Sequence, residues 1–301
     1  MDKHSLRKIK LISKSSLELD ARYLPAYGSD TAIMYCPGFG GGYGNVGEVL
    51  SDIAFNNRYG FLFGQFQDSY DKRETVRYLD DGEVEKVEIG ATNSRLYKSI
   101  ADFDCFFDFL IKEGYNNIIA VGVCVSASKL TYYLQHNKKA NNVVSELILL
   151  APQDFVEIRS CSAHEGMLEE AVKNIKQGCP EKILSKKFFG YLNISSGTYL
   201  DVCRNGMFNT LSYKTDMEKL KDLALIKARI LFVMGRLDRS IRDEKEQNIL
   251  NYFNSLTKNC KDGKFCIIDE AKHLFKGKEG ELSAVIQNFV KQKAKEANNV
   301  Q

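Results

Sequence analysis

The stretch from Asn116 to Leu134, NNIIAVGVCVSASKLTYYL, constrains the fold of this chain more than any other. Residues 118–121 form a short apolar run rich in branched side chains, which predicts a strand buried on both faces. Gly122 ends that run, and from Val125 onward apolar residues recur at helical spacing. The stretch therefore predicts a strand, one sharp turn and a helix, with Cys124 at the turn.

Cys124 stands between two small residues, Gly122 two positions before it and Ser126 two positions after it. Small neighbours allow a strained turn that exposes the side chain at its centre, which suits a nucleophile. A buried structural cysteine is the alternative, because free cysteine is among the most buried residue types. Ser126 and Ser128 are rival nucleophiles, but a turn centred on Ser126 would lie two residues inside the predicted helix.

The composition is that of an ordinary globular protein, with 44% hydrophobic and 27% charged residues among 301. A net charge of +3 is too small to indicate a nucleic-acid partner or an acidic membrane. The first ten residues are polar and no apolar run follows, so we expect no signal peptide, no transmembrane segment and a cytoplasmic location. The eight cysteines show no metal-ligand spacing, which predicts reduced thiols and no metal site.

Predicted strands and helices alternate along most of the chain, which favours an α/β fold with a mostly parallel, doubly wound sheet. An N-terminal hairpin is predicted over residues 6–24, and a surface loop with a small hairpin over 67–90. Buried strands are predicted at 31–35, 60–66, 118–121, 143–150, 228–234 and 264–268. The main helices are predicted at 46–57, 94–112 with Ser94 as its cap, 125–134, 241–256 and 279–295.

From Phe155 to about Lys227 this alternation lapses for longer than a crossover between two strands needs. We therefore predict a single domain over residues 1–301 with a lid insertion at 155–227, packed over the carboxyl ends of the strands. A helix is expected near 167–176. The aromatic residues of this insertion suit either a pocket wall or its own core: Phe188, Phe189, Tyr191, Tyr199 and Phe208.

Three chemistry-bearing residues each follow a predicted strand. Cys124 follows a central strand, Asp238 the penultimate strand and His273 the last one. The carboxyl ends of parallel strands meet at one edge of an open sheet, so these three side chains are expected to come together. A glycine-rich turn, Cys36 to Gly42, follows an early strand, and its spacing fits neither the P-loop nor the dinucleotide-binding fingerprint.

The order nucleophile, acid, histidine resembles that of the α/β-hydrolase superfamily over most of the chain. The turn around the nucleophile is the nucleophile elbow of that family, with cysteine in place of the commoner serine. In this respect the chain is similar to dienelactone hydrolases, polyhydroxyalkanoate synthases and some thioesterases. The segments that carry the resemblance are CPGFGGG (36–42) for the oxyanion loop, GVCVS (122–126) for the elbow, LLAP (149–152) for the next strand end, GRLD (235–238) for the acid and EAKHLF (270–275) for the histidine.

The resemblance implies a Cys-His-Asp triad and a covalent acyl-enzyme. Cys124 would attack an acyl group as a thiolate, which the helix N-terminus and an imidazolium partner stabilise. His273 would return a proton to the leaving group, and Asp238 would fix its tautomer. The amides of Phe39 and Val125 would bind the oxyanion.

We therefore expect a hydrolase that acts on a small-molecule acyl ester or thioester without a cofactor. A carrier- or coenzyme-bound thioester suits a thiol nucleophile. Asp154 is an alternative acid, because some hydrolase relatives place the acid one strand earlier. Two other functions stay open: an acyltransferase or cyclase in which an acceptor other than water takes the acyl group, and a catalytically inactive receptor or scaffold.

Overall fold

A computed structural model describes residues 6–153, 164–204, 208–211, 217–241 and 244–298 of the chain. Ten strands lie in these ranges: β1 (Arg7–Ile12), β2 (Glu18–Leu24), β3 (Thr31–Cys36), β4 (Gly60–Gly64), β5 (Arg73–Tyr78), β6 (Val84–Ile89), β7 (Asn117–Val123), β8 (Val144–Leu150), β9 (Arg229–Gly235) and β10 (Gly263–Ile268). Eight of them form one sheet in the order β1-β2-β4-β3-β7-β8-β9-β10, and β5 pairs with β6 alone.

The sheet is parallel from β4 to β10, and only the pairs β1–β2 and β2–β4 are antiparallel. This confirms the predicted mostly parallel sheet. Every residue of β3 and β4 is buried, because helices cover both faces and strands of this kind are apolar throughout. β1, the edge strand, exposes alternate residues instead.

Eight α-helices lie in the described ranges: α1 (Gly44–Asn56), α2 (Ser99–Lys112), α3 (Val125–His136), α4 (Lys138–Val143), α5 (Met167–Lys176), α6 (Ser196–Arg204), α7 (Glu246–Lys258) and α8 (Glu279–Asn298). Short 3₁₀-helices occupy Ala91–Asn93, Leu96–Lys98 and Met217–Leu225. None of the helices in the described parts of the chain has the length and apolar character needed to span a membrane.

Residues 67–69 are buried, so the predicted surface loop at 67–90 is wrong over its first residues. The Gln67 backbone N–H donates to Asp102 Oδ2 at 2.8 Å, and the Gln67 side chain donates to Asp102 Oδ1 at 2.9 Å. Asp68 pairs with Lys129 of α3. These polar residues can be buried because Asp102 of α2 and Lys129 of α3 are their partners in the interior.

The helix predicted to start at Ser94 starts five residues later, at Ser99. Contacts with α6 hold the preceding residues in another conformation, because the Leu96 N–H donates to Asp201 Oδ2 at 2.6 Å. The Arg95 guanidinium also donates to Thr198 Oγ1 at 3.0 Å. Tertiary partners therefore outweigh the local capping preference of a serine.

The helix predicted at 241–256 is also displaced, since α7 spans Glu246–Lys258. Ile241 belongs to a turn instead, and its N–H donates to the carbonyl of Asp238 at 3.0 Å. The last helix runs to Asn298. The helix predicted near 167–176 has those bounds as α5.

The segment predicted as an insertion connects β8 to β9, which are neighbours in the sheet. Its described residues, 164–204, 208–211 and 217–227, contain α5, α6 and one 3₁₀-helix but no strand of the sheet. α6 lies against residues 92–96, where the Thr198 hydroxyl contacts the carbonyls of Thr92 and Ser94 at 3.0 Å. The segment is therefore fixed to the connection that precedes α2.

Candidate active site

The turn at Cys124 is strained. Cys124 lies between β7 and α3 with φ 56° and ψ −125°, a conformation that side chains disfavour. Gly122 makes the turn sterically feasible, because a Cβ at this position would lie 2.9 Å from the carbonyl oxygen of Ser126 and 2.9 Å from the Cα of Ala127. The sequence thus places a cysteine where the backbone can present its side chain at the carboxyl edge of the sheet.

Ser126 joins this turn to the glycine-rich loop that follows β3. Its hydroxyl donates to the carbonyl of Pro37 at 2.5 Å. Gly38 lies against the nucleophile candidate, since a Cβ there would be 3.0 Å from Cys124 Cβ. The other rival serine, Ser128, donates to the carbonyl of Gln153 at 3.2 Å. Both serines are buried, and both hydroxyls donate hydrogen bonds to backbone carbonyls near the turn.

Asp238 and His273 form a tight pair. His273 Nδ1 lies 2.6 Å from Asp238 Oδ2, and the Asp238 side chain is fully buried. The second oxygen, Oδ1, accepts from the backbone N–H and the hydroxyl of Ser240 at 3.0 and 2.8 Å. Close contact between the loops after β9 and β10 brings the two residues together, because the Leu237 N–H donates to the carbonyl of Ala271 at 2.8 Å.

The pKa of Asp238 is lowered and that of His273 is raised. Burial alone would raise the pKa of the Asp238 carboxyl, but the hydrogen bond and charge of His273 and the bonds from Ser240 lower it. Burial alone would lower the pKa of the His273 imidazole, but the electrostatic interaction with Cys124 and the hydrogen bonds to Asp238 and Cys124 raise it to about 10. The thiol of Cys124 therefore faces the imidazole, and the three predicted residues meet.

Two backbone amides lie near Cys124: Val125 follows it in the chain, and Phe39 follows Gly38, which packs against it. The Phe39 N–H follows Gly38 and finds no hydrogen-bond acceptor among the described residues. Val125 is the first residue of α3, so its N–H has no acceptor within the helix. The loop around Phe39 is held in place, since the Gly40 N–H donates to the Asp68 carbonyl at 2.9 Å. Both amides are thus available to an anion.

The remaining candidates lie elsewhere. Asp154, the alternative acid, and His4 fall outside the described residues. His136 stacks on Tyr132 at the end of α3, and His164 stacks on Phe188. Within the described ranges, no three His, Cys, Asp or Glu side chains are grouped so that they could hold a metal ion.

A second group of residues lies near the thiol, and no sequence pattern indicated it. Tyr191 interacts electrostatically with both Cys124 and Arg239, and Arg239 lies over the ring of Phe189 with its Cζ 4.2 Å from the ring centre. These residues come from the segment before α6 and from the loop after β9. No local pattern predicts that the two segments meet.

Lys129 is a further residue that the sequence analysis missed. It lies on α3 one turn after Val125 and is fully buried, with its ammonium 2.5 Å from Asp68 Oδ2. Its position in the sequence indicates burial, because a lysine four residues after Val125 lies on the buried face of the predicted helix. Such a lysine requires a buried carboxylate partner.

Comparison with known proteins shows the fold. No family model matches the chain, and no curated protein matches it in sequence. The esterase Pf2001 of Pyrococcus furiosus has a TM-score of 0.60 at 12% identity, over 96% of this chain and 90% of the esterase. Est1E of Butyrivibrio proteoclasticus with ferulic acid bound gives 0.62 at 12% identity, over 94% and 98%.

A third structure, DcsB in complex with its substrate analogue, has a TM-score of 0.63 at 14% identity, over 96% of this chain and 99% of DcsB. All three likenesses extend over nearly the whole of both chains. Together with the sheet order, they show that the chain has the α/β-hydrolase fold that its motifs predicted. At such low identity the likeness concerns the fold and not the activity.

Proposed function

We propose that the chain is an acyl hydrolase that cleaves an ester or thioester with Cys124 as nucleophile, His273 as acid and base, and Asp238 as the acid of the triad. One observation carries the proposal: the imidazole of His273 contacts the buried Asp238 through Nδ1 at 2.6 Å while it faces the thiol of Cys124 at a strained turn. Backbone strain that a fold maintains is typical of functional sites. Two structural neighbours are esterases, so this fold supports ester cleavage.

Acylation starts from a thiolate and an imidazolium. The Cys124 sulfur attacks the carbonyl carbon, and the carbonyl electrons move onto oxygen, where the Phe39 and Val125 amides bind the oxyanion. When the intermediate collapses, the bond to the leaving oxygen or sulfur breaks. The His273 imidazolium gives its proton to that leaving group. The acyl group then remains on Cys124 as a thioester.

Deacylation consumes one water molecule. Neutral His273 takes a proton from the water as its oxygen attacks the thioester carbonyl, and the same two amides bind the second oxyanion. Collapse expels the Cys124 thiolate and releases a carboxylic acid. The thiolate–imidazolium pair is thereby restored, and Asp238 stabilises the imidazolium throughout the cycle.

We further propose that residues 155–227 form a lid within a single domain of 301 residues. Phe188 of this segment packs edge-on against Phe39 of the oxyanion loop, with ring centres 6.3 Å apart. Phe188 also contacts the ring of Phe189 at 3.9 Å. Apolar rings beside the proposed oxyanion site suit an apolar acyl group.

Two measurements test the proposal. Limiting iodoacetamide, followed by mass spectrometry of peptides, should label Cys124 fastest, and His273→Ala should slow that labelling. Intact-mass analysis during turnover of a p-nitrophenyl ester and of an acyl thioester should show one acyl adduct, which Cys124→Ala abolishes. Cys36→Ala is the matched control, because Cys36 is also buried and free and is the last residue of β3, which pairs with β7.

The outcomes separate the alternatives. Release of the free acid alone supports a hydrolase, whereas transfer to an added thiol, alcohol or amine in preference to water would identify an acyltransferase or cyclase. Equal labelling of several cysteines with Cys124 inert, and no turnover of any ester or thioester, would contradict the proposal. A ligand that binds but is never turned over would then point to a receptor.

A further inference from the structure

Arg239 occupies a position next to the proposed triad that no catalytic role explains. It follows Asp238 directly, at the carboxyl end of β9, and its side chain is exposed. Its guanidinium lies over the ring of Phe189, with Cζ 4.2 Å from the ring centre, which is within the range of a cation–π contact. No carboxylate in the described parts of the chain forms an ion pair with it. Its five N–H donors are therefore available to a ligand.

The ring beneath Arg239 is held rigidly. Phe189 lies in a tight turn in which the Phe188 N–H donates to the carbonyl of Leu192 at 2.8 Å. Phe189 has φ 54°, an unfavourable conformation for an aromatic residue, so the surrounding contacts must impose it. Leu192 packs against Gly40, where a Cβ would lie 3.3 Å from its methyl groups. The turn is thereby fixed against the oxyanion loop.

Tyr191 links this platform to the nucleophile. Its ring is nearly parallel to that of Phe189, with centres 6.4 Å apart. Its electrostatic neighbours include Cys124 and Arg239. The adjacent Leu192 packs against Gly40 of the loop whose Gly38 lies against Cys124. A row of side chains, Arg239–Phe189–Tyr191, therefore runs from the loop after β9 toward the loop beside Cys124.

We infer that the substrate carries an anionic group, a carboxylate or a phosphate, that Arg239 binds while the rings of Phe189 and Tyr191 contact the apolar part between that group and the scissile carbonyl. The inference rests on the proposed function and specifies its substrate class. A guanidinium stacked on an aromatic ring keeps its planar fork free for the two oxygens of such an anion.

The anion can belong to the acyl group or to the leaving group, and matched substrates distinguish these sources. The mono-p-nitrophenyl ester of glutaric acid, compared with p-nitrophenyl valerate, places a carboxylate on the acyl side. Butyryl phosphopantetheine, compared with butyryl pantetheine, places a phosphate on the leaving side. The quantity to compare is the ratio of kcat/KM for the anionic and the neutral member of each pair.

Wild-type protein should prefer the anionic member of one pair by at least tenfold. Arg239→Gln should lower that ratio at least tenfold, and Arg239→Lys should lower it less, because a lysine keeps the charge but loses the fork. Arg7→Gln is the matched control: Arg7 is exposed on β1, at the opposite edge of the sheet. Arg7→Gln should leave kcat/KM unchanged for all four substrates.

Equal kcat/KM within both pairs, or a ratio that Arg239→Gln does not alter, would overturn the inference while hydrolysis itself stands. Full activity of Cys124→Ala would instead overturn the proposed function. If no substrate is turned over, the anion site is tested by calorimetric titration of the Cys124→Ala protein with glutarate and with phosphopantetheine. Binding to Cys124→Ala that disappears in Cys124→Ala/Arg239→Gln supports the site. Binding that persists in the double variant, or that neither variant shows, contradicts it.

Discussion

The ammonium of Lys129 and the carboxylate of Asp68 lie 2.5 Å apart, and both side chains are shielded from solvent. Lys129 belongs to α3, the helix that starts beside Cys124, whereas Asp68 follows β4. The carbonyl of Asp68 accepts the N–H of Gly40 in the glycine-rich loop. The buried pair therefore joins the helix that follows Cys124 to the loop that carries the proposed oxyanion amide.

Breaking this pair from one side should destabilise the chain strongly. Lys129→Met leaves the Asp68 carboxylate buried without its partner, so we expect the free energy of unfolding to fall by about 3–5 kcal/mol. Urea denaturation measures the loss. The double variant Lys129→Met/Asp68→Leu removes both charges and should recover most of it.

The exposed pair Lys139–Asp108 is the matched control, because its atoms are 2.6 Å apart but both side chains are about half exposed or more. Lys139→Met should lower the free energy of unfolding by about 1 kcal/mol at most. An equal fall in the free energy of unfolding for Lys129→Met and Lys139→Met would contradict the argument that burial makes the Lys129–Asp68 pair costly to break.

Asp102 should make stability depend on pH in the neutral range. Burial and the charge of Asp68 raise its pKa to about 7, against hydrogen bonds from Gln67. The folded chain therefore keeps this proton at a higher pH than the unfolded chain. The stabilisation from this group is fully present below its ordinary pKa of 3.8 and is lost as the pH rises through about 7.

Asp102→Asn removes the titration. Urea denaturation of both proteins from pH 4 to pH 8 should show that wild type loses stability relative to the variant as the pH rises, by up to ~1.4 kcal/mol per pH unit. Parallel pH profiles would show that Asp102 titrates below this range in the folded chain.

His273 should report the charge of Cys124. In wild type, burial lowers the pKa of its imidazole, but the interactions with Cys124 and Asp238 raise it to about 10. Cys124→Ala removes the contribution of Cys124, so the pKa of His273 should fall by more than one unit. NMR titration of the imidazole C–H resonances measures this shift, with the exposed His136 as internal reference. An unchanged His273 titration would mean that the thiol carries no charge at neutral pH.

Gly122 should tolerate no side chain. A Cβ at Gly122 meets backbone atoms of Ser126 and Ala127 at 2.9 Å, so Gly122→Ala must displace the turn. We expect a loss of about 1–3 kcal/mol in the free energy of unfolding and slower alkylation of Cys124. Gly280→Ala in α8 is the control, because nothing lies within 4 Å of a Cβ there. Similar effects at the two glycines would contradict the steric argument.

Asp238 and Asp154 can be separated as candidate acids. Asp238→Asn weakens the charge that orients and stabilises the His273 imidazolium, so ester hydrolysis should fall on the order of 10²-fold or more. Asp154→Asn should leave the rate within about twofold, as expected if Asp238 alone serves as the acid of the triad. Initial rates at saturating substrate measure both, and the reverse result would assign the triad acid to Asp154.

The sequence predicted the sheet well because its central strands are buried on both faces. Runs such as TAIMY at 31–35 and ARILFVM at 228–234 are apolar except for Thr31 and Arg229, as expected for strands covered on both faces. The meeting of Asp238 and His273 was also predictable, since parallel strands deliver their following loops to one edge. Chain order and sheet geometry together suffice for this pair.

The remaining errors have a common physical cause: distant partners decide the local structure. Gln67 and Asp68 have the polarity of a surface loop, but Asp102 and Lys129 satisfy them in the interior. Ser94 has the chemistry of a helix cap, but residues after it bind α6 instead. Arg239 follows the GRLD motif without any local sign of the ring that it covers.

The conformation of Cys124 has a consequence for how this sequence can change over time. A φ of 56° costs a cysteine about 1–3 kcal/mol that a glycine would not lose. Replacing Cys124, the proposed nucleophile, by glycine would thus yield a more stable chain that lacks the thiol. At this residue, a substitution that raises stability also removes the thiol. Only selection for an activity would therefore keep a side chain there.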